Sequence, residues 1–190
     1  DKISNELTPM VATARLIKQE HPDASVVFIG PCASKKLEAS RRTVRSDVDF
    51  VITFEELTGM FEAKGILLDE IKAMDEMKDA TAAGRGYGVA GGVANAIKEC
   101  IEKYYPGTPV NIQHAESLAE CKKALLLAKA GKMNGCLIEG MACPGGCIAG
   151  AGTNIAIPVA ARAVDKFKNE AEKKVPDESV DQEMVELEKE

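Results

Sequence analysis

Cys143 and Cys147 enclose Pro144-Gly145-Gly146, and a third cysteine, Cys32, follows Gly30-Pro31 far upstream. Two thiolates with three residues between them can bind one metal centre, and the glycines permit a close turn. In such a turn, backbone N–H groups are expected to face the sulfurs, which raises a cluster's reduction potential and eases the crowding of negative thiolates. Spacing alone leaves four chemistries open: an iron–sulfur cluster, zinc, thiol redox chemistry, or a packing role. The ligand inventory weakens zinc, because His21 and His114 show no local Cys/His spacing and a four-thiolate site would need Cys32, Cys143 and Cys147 to converge with one of the scattered cysteines. An iron–sulfur cluster has the same shortage, which a ligand from outside these residues would remove. Cys100, Cys121 and Cys136 read as small residues of a core or a helix face.

Strand ends must position these loops. Thr8-Pro9 is a helix entry, with Met10, Leu16 and Ile17 as the expected buried stripe through about Glu20. His21-Pro22-Asp23 breaks that helix, and Val26 to Ile29 reads as a buried strand running into Cys32. A charged run from Lys35 to Asp47 leads to a second strand, Val48 to Thr53. Thr53 and Glu56 have capping-box spacing for a helix carrying Leu57, Met60 and Phe61, with Gly65 as its stop. A linker is expected from Leu68 to Ala83, and the glycines from Gly84 to Gly92 precede an Ala-rich helix. Those glycines can either turn backbone N–H groups toward an anion or allow a tight turn and close packing, and the packing role is favoured. Without a final Gly-Lys-Ser/Thr the run is not a Walker A loop.

Farther along, Val110 to Gln113 reads as a strand, Leu118 to Lys129 as a helix, and Cys136 to Ile138 as a short strand leading directly to the Cys143 loop. Ile155 to Phe167 is expected to be helical, interrupted at Pro158. The fold class is therefore α/β: a layered core of short parallel or mixed sheet flanked by helices, with chemistry on strand-end loops.

The bulk composition limits the partners. Of the 190 residues, 45% are hydrophobic, enough for one ordinary core. The formal charge of −6 sits in the tail: nine acidic and three basic residues lie from Asn169 to Glu190, leaving twenty-one of each sign before it. A neutral body with 4% aromatic residues provides neither a basic field nor a stacking platform, so no nucleic-acid partner is expected. No apolar stretch reaches transmembrane length and no signal-peptide pattern opens the chain, so membrane insertion is not expected and a cytoplasmic location is. A chain beginning at Asp1 is read as an excised fragment. In the tail, Val180, Met184 and Leu187 have the spacing of a short amphipathic helix, either packed on the body or leading onward as a linker.

Two motifs narrow the chemistry. Pro31-Cys32-Ala33-Ser34-Lys35-Lys36-Leu37-Glu38 resembles the Pro-Cys-x-x-Lys-Lys-x-Glu element of the [FeFe]-hydrogenase large subunit. Glu139-Gly140-Met141-Ala142-Cys143-Pro144-Gly145-Gly146-Cys147-Ile148-Ala149-Gly150 resembles its second cluster-binding element. They occur in the family's order, with a matching block at Asp49 to Leu57 and at Gly91-Gly92-Val93 between them. The resemblance covers residues 1–168 and implies the C-terminal part of the two-lobed H-cluster domain, with residues 169–190 as an acidic tail or linker.

By this resemblance, Cys32, Cys143 and Cys147 are metal ligands of a [4Fe-4S] cluster. Cys147 would also bridge to a di-iron subcluster bearing CO, cyanide and azadithiolate. Lys35 matches a lysine that hydrogen-bonds cyanide, and Met141 an apolar neighbour of the di-iron unit. No residue here is assigned a catalytic role. The family's Thr-Ser-Cys-Cys-Pro motif would precede residue 1, so a complete hydrogen-cleaving centre is not expected in this chain alone. The implied partners are that upstream lobe, a ferredoxin-like or other electron carrier, and H2 with protons. The chain departs from the family at Gly30, where methionine is usual and whose loss would remove an apolar wall. It departs again at Ala90 and at Ala151-Gly152-Thr153-Asn154. These departures suggest a divergent, sensory member, and a noncatalytic iron–sulfur protein is the alternative.

Overall fold

A computed structural model describes residues 3–44, 46–72 and 80–176. The expected tail helix at Val180, Met184 and Leu187 lies outside the described residues. The chain forms two units. The first draws its described residues from Asp1–Ile71 and Ala151–Asn154, the second from Lys72–Gly150 and Ile155–Pro176.

In the first unit, helix α1 (Pro9–Glu20) begins at the expected Thr8-Pro9. Proline at the first helical turn loses no N–H bond that the helix would otherwise make. Thr8 stands at the cap, but its hydroxyl donates to Glu38 and makes no cap bond. The buried face is Met10, Val11, Ala12 and Ala14, whereas the expected Leu16 and Ile17 are only half-buried. Strands β1 (Val27–Gly30) and β2 (Phe50–Thr53) pair in parallel, Val27 opposite Phe50 and Gly30 opposite Thr53. Parallel strands need a crossover, and α2 (Ser34–Ser40) lies within it, in a charged stretch whose helical character the sequence reading missed. Helix α3 (Phe54–Ala63) follows β2 through the anticipated capping box: Glu56 N–H donates to the Thr53 hydroxyl at 3.2 Å, and Thr53 N–H to the Glu56 carboxylate at 2.8 Å.

The second unit repeats this strand–helix–strand order. Helix α4 (Ala82–Arg85) and a 3-10 turn (Gly86–Gly88) precede α5 (Gly92–Tyr104). Strand β3 (Asn111–Glu116) is followed by α6 (Leu118–Lys129) and then by β4 (Cys136–Met141). The strands are parallel, from Asn111 opposite Cys136 to Glu116 opposite Met141. Both are longer than expected because pairing along six residues carries polar His114, Glu116 and Glu139 into the ladder. Helix α7 (Ile157–Asn169) takes Pro158 into its first turn instead of being interrupted there. The following residues remain tied to this unit. Ala82 and Ala83 N–H donate to the carbonyls of Lys173 and Lys174 at 2.8 and 2.9 Å, and Lys103 Nζ to that of Pro176 at 2.9 Å.

Among the described residues, ten apolar side chains are buried and eight of them are alanines. Removing a methyl group leaves little cavity, so such interiors depend on close backbone approach and on hydrogen bonds. Both are concentrated around the cysteine loops.

Candidate cluster-binding loops

Cys32 lies two residues beyond β1 and two before α2, half-buried, with its carbonyl accepting Lys35 N–H at 3.2 Å. Three contacts fix its surroundings. Lys36 Nζ bridges α2 to the Val51 carbonyl at 3.2 Å and to both oxygens of Glu56 at 2.8 Å. The segment Ala151–Asn154 returns to this unit, where Gly152 N–H donates to the Pro31 carbonyl at 3.0 Å and the Gly152 carbonyl accepts Glu55 N–H at 3.1 Å. A Cβ on Gly152 would stand 2.4 Å from Thr53 Cβ, which only glycine avoids. Asn154 completes the attachment through Phe54 O at 3.1 Å and Thr58 Oγ1 at 2.7 Å. Gly152 and Asn154 thus hold the Pro31-Cys32 loop to α3.

Over Gly30 the structure offers an apolar surface that the sequence reading did not foresee. A Cβ there would meet the Phe28 ring at 2.8 Å, so the ring occupies the space that a larger residue would take. Lys35 is paired with Glu38 at 2.6 Å on the same helix, and both side chains are largely covered.

The electrostatics of this unit are those of a surface. Val26 N–H, followed by Lys18, holds the Asp49 carboxyl below its ordinary value. Lys36, followed by Thr53 N–H, does the same for Glu56. In each case the hydrogen bonds favour the ionised form.

Cys143 and Cys147 belong to the second unit. Met141 ends β4, half-buried, with its carbonyl accepting Ser117 N–H at 2.9 Å. The chain turns through Gly145 and Gly146, with φ of 96° and 87°, and enters a 3-10 turn at Cys147 (Cys147–Ala149). Cys143 is half-buried and Cys147 exposed. Contrary to the sequence expectation, the glycine N–H groups have other partners: Gly145 donates to Glu116 Oε2 at 2.8 Å, and Gly146 to the Cys143 carbonyl at 2.9 Å. Glycine is required at both turn positions by φ, and at Gly146 also by space, since a Cβ would fall 2.4 Å from Ala90 N. Ala90 N–H in turn donates to the Gly145 carbonyl at 3.1 Å.

Beneath this loop, the glycine run combines both of its expected roles. Close packing is plain at Gly92, where a Cβ would lie 2.1 Å from the Gly86 carbonyl oxygen. The run also faces an anion, and that anion is internal. The buried carboxylate of Glu139 accepts N–H bonds from Gly91 at 2.6 Å, Val93 at 3.0 Å and Ala94 at 3.2 Å. It thereby satisfies donors at the N-terminus of α5, where the helix dipole favours negative charge. His114 Nδ1 lies 3.1 Å away from the same group. Strand β4 is thus fastened to α5 four residues before Cys143. The sequence reading missed both Glu116 and Glu139. An acid inside the run Cys136-Leu137-Ile138-Glu139 was the available signal for the second.

The remaining cysteines have local partners. Cys121 Sγ donates to the carbonyls of Ala115 and Met141 at 3.6 and 3.8 Å, and Asn111 Nδ2 to Cys136 Sγ at 3.3 Å. Cys100 lines an apolar cavity of about 270 Å³ with Tyr87 and Tyr104. Burial, reinforced by Cys100, pushes the Tyr87 phenol up. All six cysteines are outside disulfides. Among the described residues, no three His, Cys, Asp or Glu side chains are gathered so as to hold a metal ion. What each unit supplies is soft sulfur donors on a braced strand-end loop, one in the first and two in the second. That donor chemistry suits iron or zinc better than hard oxygen-seeking cations.

The architecture and the two loops meet in one family. The profile of the iron only hydrogenase large subunit, C-terminal domain, matches residues 1–151, and the chain belongs to that family.

Solved structures share the fold. An [FeFe]-hydrogenase studied for oxygen inactivation of its H cluster aligns over 97% of this chain and 63% of its own, with TM-score 0.68 and 21% identity. A variant [FeFe]-hydrogenase from Chlamydomonas reinhardtii aligns over 97% and 64%, with TM-score 0.67 and 21% identity. The chain therefore spans just under two thirds of these proteins. A cytosolic Fe-S cluster assembly factor, NAR1 of Kluyveromyces lactis, is 43% identical over 53 residues, which is 28% of this chain and 11% of that protein. Among the described residues, no helix is long and apolar enough to cross a membrane.

Proposed function

We propose that this chain is the iron–sulfur cofactor-binding part of an [FeFe]-hydrogenase-like protein, with Cys32, Cys143 and Cys147 as ligands of a [4Fe-4S] cluster. Cys147 would also hold a di-iron subcluster bearing CO, cyanide and azadithiolate, with Lys35 as a hydrogen-bond donor to it and Met141 as an apolar neighbour. When bound, that group supplies the reversible oxidation of H2 to protons and electrons. The chain's own residues hold and shield it. The observation that carries this reading is the placement of both cysteine motifs on braced loops at the carboxyl ends of parallel strands, where open α/β folds keep their ligands. Lys35 suits its role because an ammonium has three donors and Glu38 engages one. The rest of the proposal comprises the C-terminal part of an H-cluster domain over residues 1–168, a tail or linker from 169, a cytoplasmic location, an upstream lobe with the remaining ligand, and a ferredoxin-like or other electron carrier.

A second reading is favoured by Gly30, where the Phe28 ring occupies the space over the backbone. It is a noncatalytic iron–sulfur or hydrogen-sensing protein, and the partial similarity to an Fe-S cluster assembly factor points the same way. One experiment tests both. The full-length protein is reconstituted with iron and sulfide, then with the di-iron cofactor, and compared with Cys32→Ser, Cys143→Ser and Cys147→Ser by electron paramagnetic resonance and infrared spectroscopy. Altered cubane spectra in all three variants, with cyanide and CO bands lost in Cys147→Ser, support the hydrogenase reading. A cubane without any di-iron bands supports the noncatalytic iron–sulfur protein, and di-iron bands without hydrogen turnover support the hydrogen sensor. Spectra unchanged in every variant overturn the ligand assignment.

A further inference from the structure

Glu116 has no place in the motifs that define the site, yet its carboxylate reaches the middle of the cysteine loop. It is the last residue of β3, opposite Met141 in the parallel register, and its Oε2 accepts the Gly145 N–H at 2.8 Å. Gly145 is two residues from Cys143 and two from Cys147. The backbone that carries the carboxylate is held in a fixed setting. The Glu116 N–H donates to Glu120 Oε2 at 2.8 Å. The next residue, Ser117, takes a φ of 142°, bonds the Met141 carbonyl through its N–H at 2.9 Å, and caps α6 through its hydroxyl. A non-glycine residue in that region of φ carries strain, held in place here by two hydrogen bonds.

We infer that Glu116 is a positioning residue of the Cys143–Cys147 loop that also sets the electron affinity of whatever cluster those thiolates bind. Two effects act in the same direction. A carboxylate beside the loop disfavours adding an electron to the cluster, because the reduced state carries one more negative charge. The carboxylate also occupies a backbone N–H that would otherwise be available to a sulfur, and N–H···S bonds raise cluster potentials. Glu116 therefore keeps the potential low while it fixes the turn.

This inference rests on the ligand reading of Cys143 and Cys147, and its test separates the two. In the full-length protein, Glu116→Gln removes the charge but retains an oxygen acceptor, whereas Glu116→Ala removes both. Amide exchange of the cluster-free protein is measured first. Gly145 should exchange about as slowly in Glu116→Gln as in the parent and at least about tenfold faster in Glu116→Ala, the factor expected for loss of about 1.4 kcal/mol of protection. Redox titration of the reconstituted protein, followed by electron paramagnetic resonance, should then show an upward shift of the midpoint potential in both variants. The shift should be larger in Glu116→Ala. Unchanged Gly145 exchange in Glu116→Ala overturns the positioning role, and midpoints equal to the parent's in both variants overturn the tuning role. If instead the spectra of the reconstituted parent do not change in Cys143→Ser or Cys147→Ser, the ligand reading fails, while the exchange result still decides the loop-positioning role.

Discussion

The two strand–helix–strand units present cysteines at the same kind of place and brace them by opposite means. Around Cys32, the loop is held by exposed ion pairs, a helix cap and the returning Ala151–Asn154 segment. Around Cys143 and Cys147, it is held by a buried carboxylate and by backbone pressed against backbone at Gly92 and Gly146. Exposed pairs contribute little and respond to solvent, whereas buried charge-assisted bonds and tight steric contacts contribute more and tolerate little change. A loop carrying two of the candidate cysteines has more geometry to maintain than a loop carrying one, and the stiffer bracing is found there.

The largest expected effect breaks the comparison at its steric limit. Gly92→Ala would place a methyl group 2.1 Å from a carbonyl oxygen and should cost at least about 3 kcal/mol. In the first unit, Gly152→Ala meets a side chain at 2.4 Å, and the loss should be about 1–3 kcal/mol. Urea denaturation gives both values, and a greater loss for Gly152→Ala would reverse the ranking.

Hydrogen bonding should show a smaller contrast. Glu139→Gln replaces one acceptor oxygen by a donor facing N–H groups, so about 2–3 kcal/mol should be lost, with faster exchange at Gly91, Val93 and Ala94. Thr53→Ala removes only the side-chain half of a cap and should cost about 1 kcal/mol. Equal losses in the two variants would mean that the buried carboxylate is no stronger a brace than the cap.

The smallest effect is an acid response in the first unit. Asp49 and Glu56 titrate below their ordinary values of 3.8 and 4.5 in the folded protein. Depressed values mean that the unfolded chain takes up protons first. Their stabilisation is therefore complete above about pH 5 and is lost as pH falls through the folded values. Amide exchange should be flat between pH 6 and 8 after correction for intrinsic rates. Below pH 4.5, Val26 and the first turn of α3 should lose protection, and Asp49→Asn with Glu56→Gln should abolish that response.

Local chemistry was legible in the sequence, and long-range polar contacts were not. Thr8-Pro9 and the Thr53/Glu56 box located α1 and α3, since their signals lie within a few residues. The strand-end positions of Cys32 and Cys143 also followed from apolar runs ending at glycine or proline. Helix α2 escaped notice because Ser34–Ser40 buries no side chain and so carries no apolar period. Strand β3 extends to Glu116 only because β4 lies beside it, a fact remote from His114 and Glu116 in the chain. Glu139 finding Gly91, and Glu116 finding Gly145, are long-range pairings that no local pattern encodes. The glycine run showed that backbone N–H groups could face an anion. It did not show that the anion would be the protein's own.

The return of Ala151–Asn154 to the first unit bears on how this protein can be divided. Its described members come from two separated stretches, and the second unit likewise resumes at Ile155. Neither unit is a module in the genetic sense. A breakpoint between residues 72 and 80 would give an amino-terminal product lacking Gly152, and with it the bonds to Pro31 and Glu55. Recombination can exchange the Cys32 half only together with a four-residue patch encoded beyond Cys143 and Cys147. The two cysteine motifs are thereby obliged to be inherited together, and fragment complementation is best attempted by supplying Ala151–Asn154 to the amino-terminal piece as a grafted peptide.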